Sequence, residues 1–204
     1  MEVSNAVTDL VITAVCWSAA ALLLRSWPAP RKGWQRWYLA FFLLMGLGTL
    51  CGATLSHGFS HIFTAPVFKY PNWLCNIAAL SCFGMAVIER SHAVSPLKSR
   101  TLLHGLLLLE TLGMLAWTFL SYSFLPAKVH IGLCLLALSL PLQLRRWGAR
   151  ESKFILAVTL MMLLIPVVLV LHWSPAPWLD TNDVSHLIIA AAMYVTYMAC
   201  RESV

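Results

Sequence analysis

Charge is scarce in this sequence, and that scarcity constrains it first. Asp, Glu, Lys and Arg supply 11% of the residues and hydrophobic types 60%, with a mean hydropathy of +0.78. A soluble domain carries about 25% charged residues, so a soluble globular protein is excluded. Acidic residues are the rarer sign, eight against fourteen basic ones. The first apolar run lacks the basic lead-in of a signal peptide: Glu2 and Asp9 stand there, and no A-x-A-like cleavage site follows Arg25. It is therefore expected to be a genuine span. No C-x-x-C pair occurs among the six cysteines, which are scattered through apolar runs. That pattern reads as small packing residues rather than a disulfide framework. The last apolar stretch, "HLIIAAAMYVTYMACRESV", has no lysine, which removes a retinal Schiff base. With no repeat, no low-complexity tract and no long linker, residues 1–204 form a single domain.

What is present is a series of long apolar runs. A transmembrane helix needs about 20 mostly apolar residues, and seven such runs are predicted, at 7–25, 37–60, 73–89, 101–121, 129–145, 154–173 and 183–200. The fold class expected is an all-α, integral multi-pass membrane protein, a seven-transmembrane helix bundle. Arg25, Arg31, Lys32, Arg36, Arg90, Lys98, Arg100, Arg145, Arg146, Arg150, Lys153 and Arg201 fall on one side of it. Only Lys69 and Lys128 fall on the other. By the positive-inside rule the N-terminus is outside and the C-terminus cytoplasmic. The +6 net charge then reflects loops meeting anionic lipid headgroups. It is no nucleic-acid footprint, since the basic residues share no single face. Tryptophans near the span ends form an ordinary aromatic belt.

Polar residues gather on the opposite side. The second run ends in "CGATLSHGFSH", with His57 and His61 four residues apart and so on one helical face. Asp9 opens the first run on that side, Asn72 and Asn76 the third, and His130 the fifth; His172 ends the sixth. The seventh opens with "DTNDVSHL", carrying Asp180, Asp183 and His186. Five of the seven histidines thus share one face, leaving His92 and His104 near the other. Imidazoles and carboxylates at one depth suit zinc, which in catalytic sites takes three protein ligands and keeps a fourth position open. His57, His61 and His186 are the candidate ligands, with Asp183 as a further ligand, a base or an orienter of His186. Gly48, Gly52, Ser56 and Ser60 form a small-residue stripe on the second run, which allows close helix approach. The ordinary alternatives are interfacial histidines, an Asp183 that complements the helix dipole and serines that back-bond to their own helix. Glu110, in the middle of the fourth run, is a polar pin or a proton-transfer group. Counting residues from the helix ends places it too far from the histidines to share a ligand set with them.

The seven runs, the histidine ending the second, the polar residue opening the third and the histidine motif opening the seventh resemble the superfamily of alkaline ceramidases and progestin/adipoQ receptors. That family's pattern is S-x-x-x-H, then Asp, then H-x-x-x-H. Here His57 stands at the serine position if His61 is the matched histidine, Asn72 or Asn76 stands for the Asp, and the last motif reads Asn182-x-x-x-His186. The resemblance implies a zinc-dependent hydrolase, possessing ceramidase-like amidase or related esterase activity on an amphiphilic lipid near the non-cytoplasmic face. In that reading zinc polarises the scissile carbonyl, Asp183 is the general base, and Ser56 or Ser60 donates to the oxyanion. Partners are membrane lipids and a lipid-like substrate, with no nucleic acid. Two alternatives come from other classes. One is a non-catalytic, receptor-like protein that binds lipid or metal. The other is a b-type haem cytochrome, in which His57 or His61 pairs with His130 or His186.

Overall fold

The computed structural model describes residues 3–27, 29–59, 62 and 65–202, the side chains of Pro66 and Ala93 excepted. Among them, seven helices are long and apolar enough to cross a membrane, as a multi-pass membrane protein requires. They are α1 (Val3–Ser26), α2 (Gly33–Gly58), α3 (Val67–Arg90), α4 (Leu97–Ser121), α5 (Leu125–Leu144), α6 (Arg150–Val170) and α7 (Thr181–Arg201). Each covers most of one predicted run. Most boundaries moved outward, because polar first turns such as Gly33–Arg36 and Arg150–Lys153 are helical without being apolar.

Local chemistry explains several ends. Pro71 opens the α-helical part of α3, which begins at Tyr70 after a 3-10 turn, and Pro126 sits in the first turn of α5, where a missing N–H costs nothing. α4 stops at Tyr122, whose φ of 49° is left-handed, and the chain after α6 turns at His172 with φ 46°. α7 opens with a reciprocal cap: the Asp183 N–H donates to Asp180 Oδ1 at 2.9 Å, and the Asp180 N–H donates to Asp183 Oδ2 at 3.0 Å.

α2 and α5 depart from regular geometry. Gly52–Gly58 in α2 and Leu133–Ser139 in α5 are π-helical. In such segments hydrogen bonds run to the fifth residue on, and they occur frequently at functional sites.

α1, α2, α3 and α7 make the inner group, and α4 is peripheral: 56% of the α3 span is buried against 17% of α4. Leu102, Leu106, Leu109, Leu112 and Leu120 of α4 are exposed, as a lipid-facing surface would be. The core between α2 and α3 is aromatic. Tyr38 and Phe41 both meet Phe83 at 6.1 and 5.5 Å between centroids, and Trp34 meets Tyr38 edge-on at 6.3 Å.

The small-residue stripe of α2 does what close approach requires. A Cβ added at Gly48 would lie 3.0 Å from Cys75 Cβ on α3, and one at Gly52 would lie 2.6 Å from Asp9 Oδ2 on α1. α2 is therefore central, wedged between α1 and α3.

The two ends of the bundle differ in chemistry. At the basic end, Glu151 accepts from Arg90 at 3.0 Å and from Arg146, Arg90 lies 4.5 Å over the Trp34 ring, and the Trp37 indole donates to Glu89 at 2.8 Å. These contacts are structural pins. The start of α1, the end of α2 and the starts of α3 and α7 meet at the opposite end, the histidine end.

Candidate functional site

Four helix ends supply the residues of the histidine end, and one carboxylate sits at its centre. Asp9, on the second turn of α1, is buried beside Gly52. Its Oδ2 faces His57 Nε2 at 3.8 Å and its Oδ1 faces His186 Nδ1 at 3.6 Å. The two rings lie 6.3 Å apart between centroids, nearly edge-on. Both imidazoles are partly open, with side chains 23% and 19% exposed, while Asp9 is 7% exposed.

His186 is held from behind. The Thr8 hydroxyl lies 3.0 Å from its Nδ1 and donates to Asp183 Oδ1 at 3.3 Å. With the Thr8 hydrogen pointing to Asp183, Nδ1–H of His186 donates to Thr8 and the Nε2 lone pair is left to face outward. Asp183 is 0% exposed and already accepts from Asp180 N–H. Both of its oxygens are engaged, which suits holding Thr8 better than taking a proton from water. Asn5 Nδ2 donates to Asp180 at 3.2 Å and closes this side of the site.

Of the sequence candidates, His57 and His186 are brought together, Asp183 is joined to His186 through Thr8, and Ser56 lies next to His57 with a buried hydroxyl that has no partner among the described residues. Ser60 and His61 lie outside the described residues. α2 ends at Gly58 and is π-helical over its last seven residues, so four-residue spacing no longer stacks side chains on one face there. Asn72 is beside Asp9 across Gly52: a Cβ at Gly52 would meet Asn72 Nδ2 at 3.1 Å. His172 is exposed.

Asp9 itself received no role from the sequence. The signal was available, because the rule that singled out Glu110, an ionisable group inside an apolar run, applies equally to it.

Glu110 and His130 require a correction. The separation expected from helix-end counting is wrong for His130: its Nδ1 lies 2.7 Å from Glu110 Oε2 and 2.9 Å from Oε1. The count overestimates the gap because two long side chains reach toward each other from helices joined by a short turn. His130 therefore leaves the histidine-end group and joins a second one. Its Nε2 lies 3.1 Å from both the Ile77 carbonyl and Ser81 Oγ, and Cys134 Sγ lies 3.7 Å from that nitrogen. Donor atoms of Glu110, His130 and Cys134 all fall within 4.8 Å of one another, so this cluster could hold a metal ion. Among the described residues no other set of three His, Cys, Asp or Glu side chains is as compact, the histidine-end trio included.

Comparison with known proteins adds the family. A family model described as a family of unknown function, DUF6962, matches residues 4–203. The chain belongs to DUF6962. The match spans all seven helices and both clusters. No curated protein and no solved structure matches this DUF6962 chain.

Proposed function

We propose that this DUF6962 protein is a zinc-dependent intramembrane hydrolase that cleaves an amide or ester bond of an amphiphilic lipid, with the histidine end as its active site. The observation that carries the reading is the placement of Asp9 between His57 and His186 at 3.8 and 3.6 Å. These separations exceed a hydrogen bond. Two donors each about 2.0–2.1 Å from one tetrahedral ion stand roughly 3.4 Å apart, close to the His57 Nε2–Asp9 separation, and His186 would present Nε2, the nitrogen that Thr8 leaves free. Two imidazoles and a carboxylate also match the donor set of several catalytic zinc sites.

His57, Asp9 and His186 would hold the ion. When bound, zinc supplies Lewis acidity and makes water a competent nucleophile at neutral pH. Thr8 and Asp183 fix the ring of His186, as the outer partners of ligating histidines do. The unpartnered Ser56 hydroxyl, one residue from His57, is placed to donate to an oxygen that gains negative charge. Partial exposure of both imidazoles gives water access, while the apolar flanks of α1 and α7 suit the chains of a lipid. The charge bias of the loops puts this end on the non-cytoplasmic side. The likeness to alkaline ceramidases supports the same chemistry, with the carboxylate arriving from α1.

The haem alternative is weaker: Asp9 lies within 3.8 Å of both rings, where a macrocycle would have to pass, and His130 is engaged by Glu110. The receptor-like alternative separates from the enzyme by turnover. Zinc per chain is measured on purified protein, wild type against His57→Ala, Asp9→Ala and His186→Ala, together with hydrolysis of a panel of ceramides and acyl lipids. Loss of one zinc equivalent and of hydrolysis in all three variants is expected. Zinc that is unchanged in all three discards the site; zinc lost without any wild-type turnover discards the enzyme and leaves the binding protein.

A further inference from the structure

We infer that Glu110, His130 and Cys134 form a second metal site, separate from the histidine end, which takes a divalent ion of zinc's class through mixed oxygen, nitrogen and sulfur donors. The cluster belongs to α4 and α5 with support from α3, and it shares no residue with the site formed by α1, α2 and α7.

Hydrogen bonding sets the roles of the two ring nitrogens. The Ile77 carbonyl can only accept, so His130 Nε2, 3.1 Å away, carries its hydrogen. Nδ1 then faces the Glu110 carboxylate, and a single proton is shared between them at 2.7 Å. A ligating histidine is held in just this way, its far N–H given to a carbonyl and its near nitrogen turned to the site. Ser81, which is 3.1 Å from Nε2 and 2.8 Å from the Thr111 hydroxyl, braces the ring further. His130 is 0% exposed and Cys134 1%, so neither is placed for a role in solvent.

Charge favours a divalent ion over a lone proton. Binding one M²⁺ releases the proton shared by Glu110 and His130 together with the Cys134 thiol proton, leaving carboxylate, thiolate and neutral imidazole around the ion. The assembled site is electrically neutral, the state that low-dielectric surroundings tolerate best. Thiolate with imidazole and carboxylate is a donor set that suits zinc and disfavours calcium or magnesium.

Two structural features point to occupancy. Cys134 lies in the π-helical stretch Leu133–Ser139 of α5, the counterpart of the stretch that carries His57 in α2. Also, Glu110 and Cys134 line a groove of about 240 Å³ between α4 and α5, walled by Leu103, Leu106, Leu133 and Leu138. It opens among exposed leucines of α4 and gives the ion an open side, as a site with three protein ligands has.

Cobalt separates this site from the other, because the donors proposed at the histidine end include no sulfur. The full chain in detergent is loaded with Co²⁺ and its near-ultraviolet spectrum recorded for the thiolate-to-cobalt charge-transfer band. The band is expected in wild type and in a His57→Ala/His186→Ala double variant, and it disappears in Cys134→Ser. A wild type without the band, or a band that persists in Cys134→Ser, overturns the proposal. If Cys134→Ser does not fold, Glu110→Gln keeps both the thiol and a hydrogen-bonding group beside His130; its cobalt affinity must fall more than about tenfold, and unchanged affinity overturns the proposal equally. A double variant that keeps both the band and the full metal content refutes the histidine-end site alone.

Discussion

The two histidine clusters solve the same problem in opposite ways. At Glu110 and His130 the carboxylate and imidazole touch at 2.7 Å and the ring is wholly buried. At Asp9 the carboxylate stands 3.6 and 3.8 Å from two rings that are each about a fifth exposed. The first arrangement closes on itself as a hydrogen-bonded pair, and removing one member takes away the other's charged partner. The second is spaced by its surroundings: Thr8 contacts His186, Gly52 lets Asp9 lie against α2, and both rings keep part of their surface exposed. The two clusters therefore differ in how tightly they are closed: the peripheral one is in hydrogen-bond contact around a buried ring, and the central one is spaced and partly exposed.

Substitutions can break that contrast directly. His130→Ala should have the largest effect on stability, about 2–5 kcal/mol, since it empties a fully buried ring position and removes the hydrogen-bond partner of Glu110; His57→Ala should cost less than about 1 kcal/mol. Thermal unfolding in one detergent compares the two, and equal losses would erase the distinction. Next comes Gly52→Val, whose added carbons run into Asp9. A cost of about 1–3 kcal/mol is expected, with zinc lost from the histidine end while the cobalt–thiolate band is preserved. Thr8→Val keeps the shape and removes the hydroxyl that orients His186, so zinc affinity should fall about 10- to 100-fold with little change in melting temperature. An affinity that does not move would mean that Thr8 only fills space. Ser56→Ala is the gentlest: stability within about 0.5 kcal/mol of wild type, unchanged zinc, and slower hydrolysis read as a lower kcat at constant KM.

Much of the architecture was legible in the sequence because hydrocarbon imposes a simple rule on it. Seven runs long enough to span, separated by short polar connections, are seven helices here, and the glycines of α2 do mark the helix that neighbours approach most closely. The gathering of Asp9, His57, Asn72, Asp183 and His186 at one end follows from alternating direction alone, and the structure places them there. Contacts between particular side chains were less accessible. The pairing of Glu110 with His130 depends on how two rotamers meet across a hairpin, which depth counting cannot resolve. The same-face relation assumed for residues 57 and 61 relied on α-helical spacing, and the chain leaves that spacing at Gly52. No specific role for Asp9 could be read from the sequence, because the rings it faces stand on other helices and only packing brings them to it.

The wide turns at the end of α2 have a consequence for how the helix is read along its length. Up to Cys51 the side-chain directions are fixed by packing against α3, including the close approach at Gly48. From Gly52 onward the winding changes, so the last two turns point independently of the stem. Removing a single residue there and restoring regular winding would swing the tip by about 100° and turn His57 away from Asp9 while Gly48 stayed in place. The helix thus behaves as a fixed shaft with an adjustable head, and its aim can change without loosening the grip below.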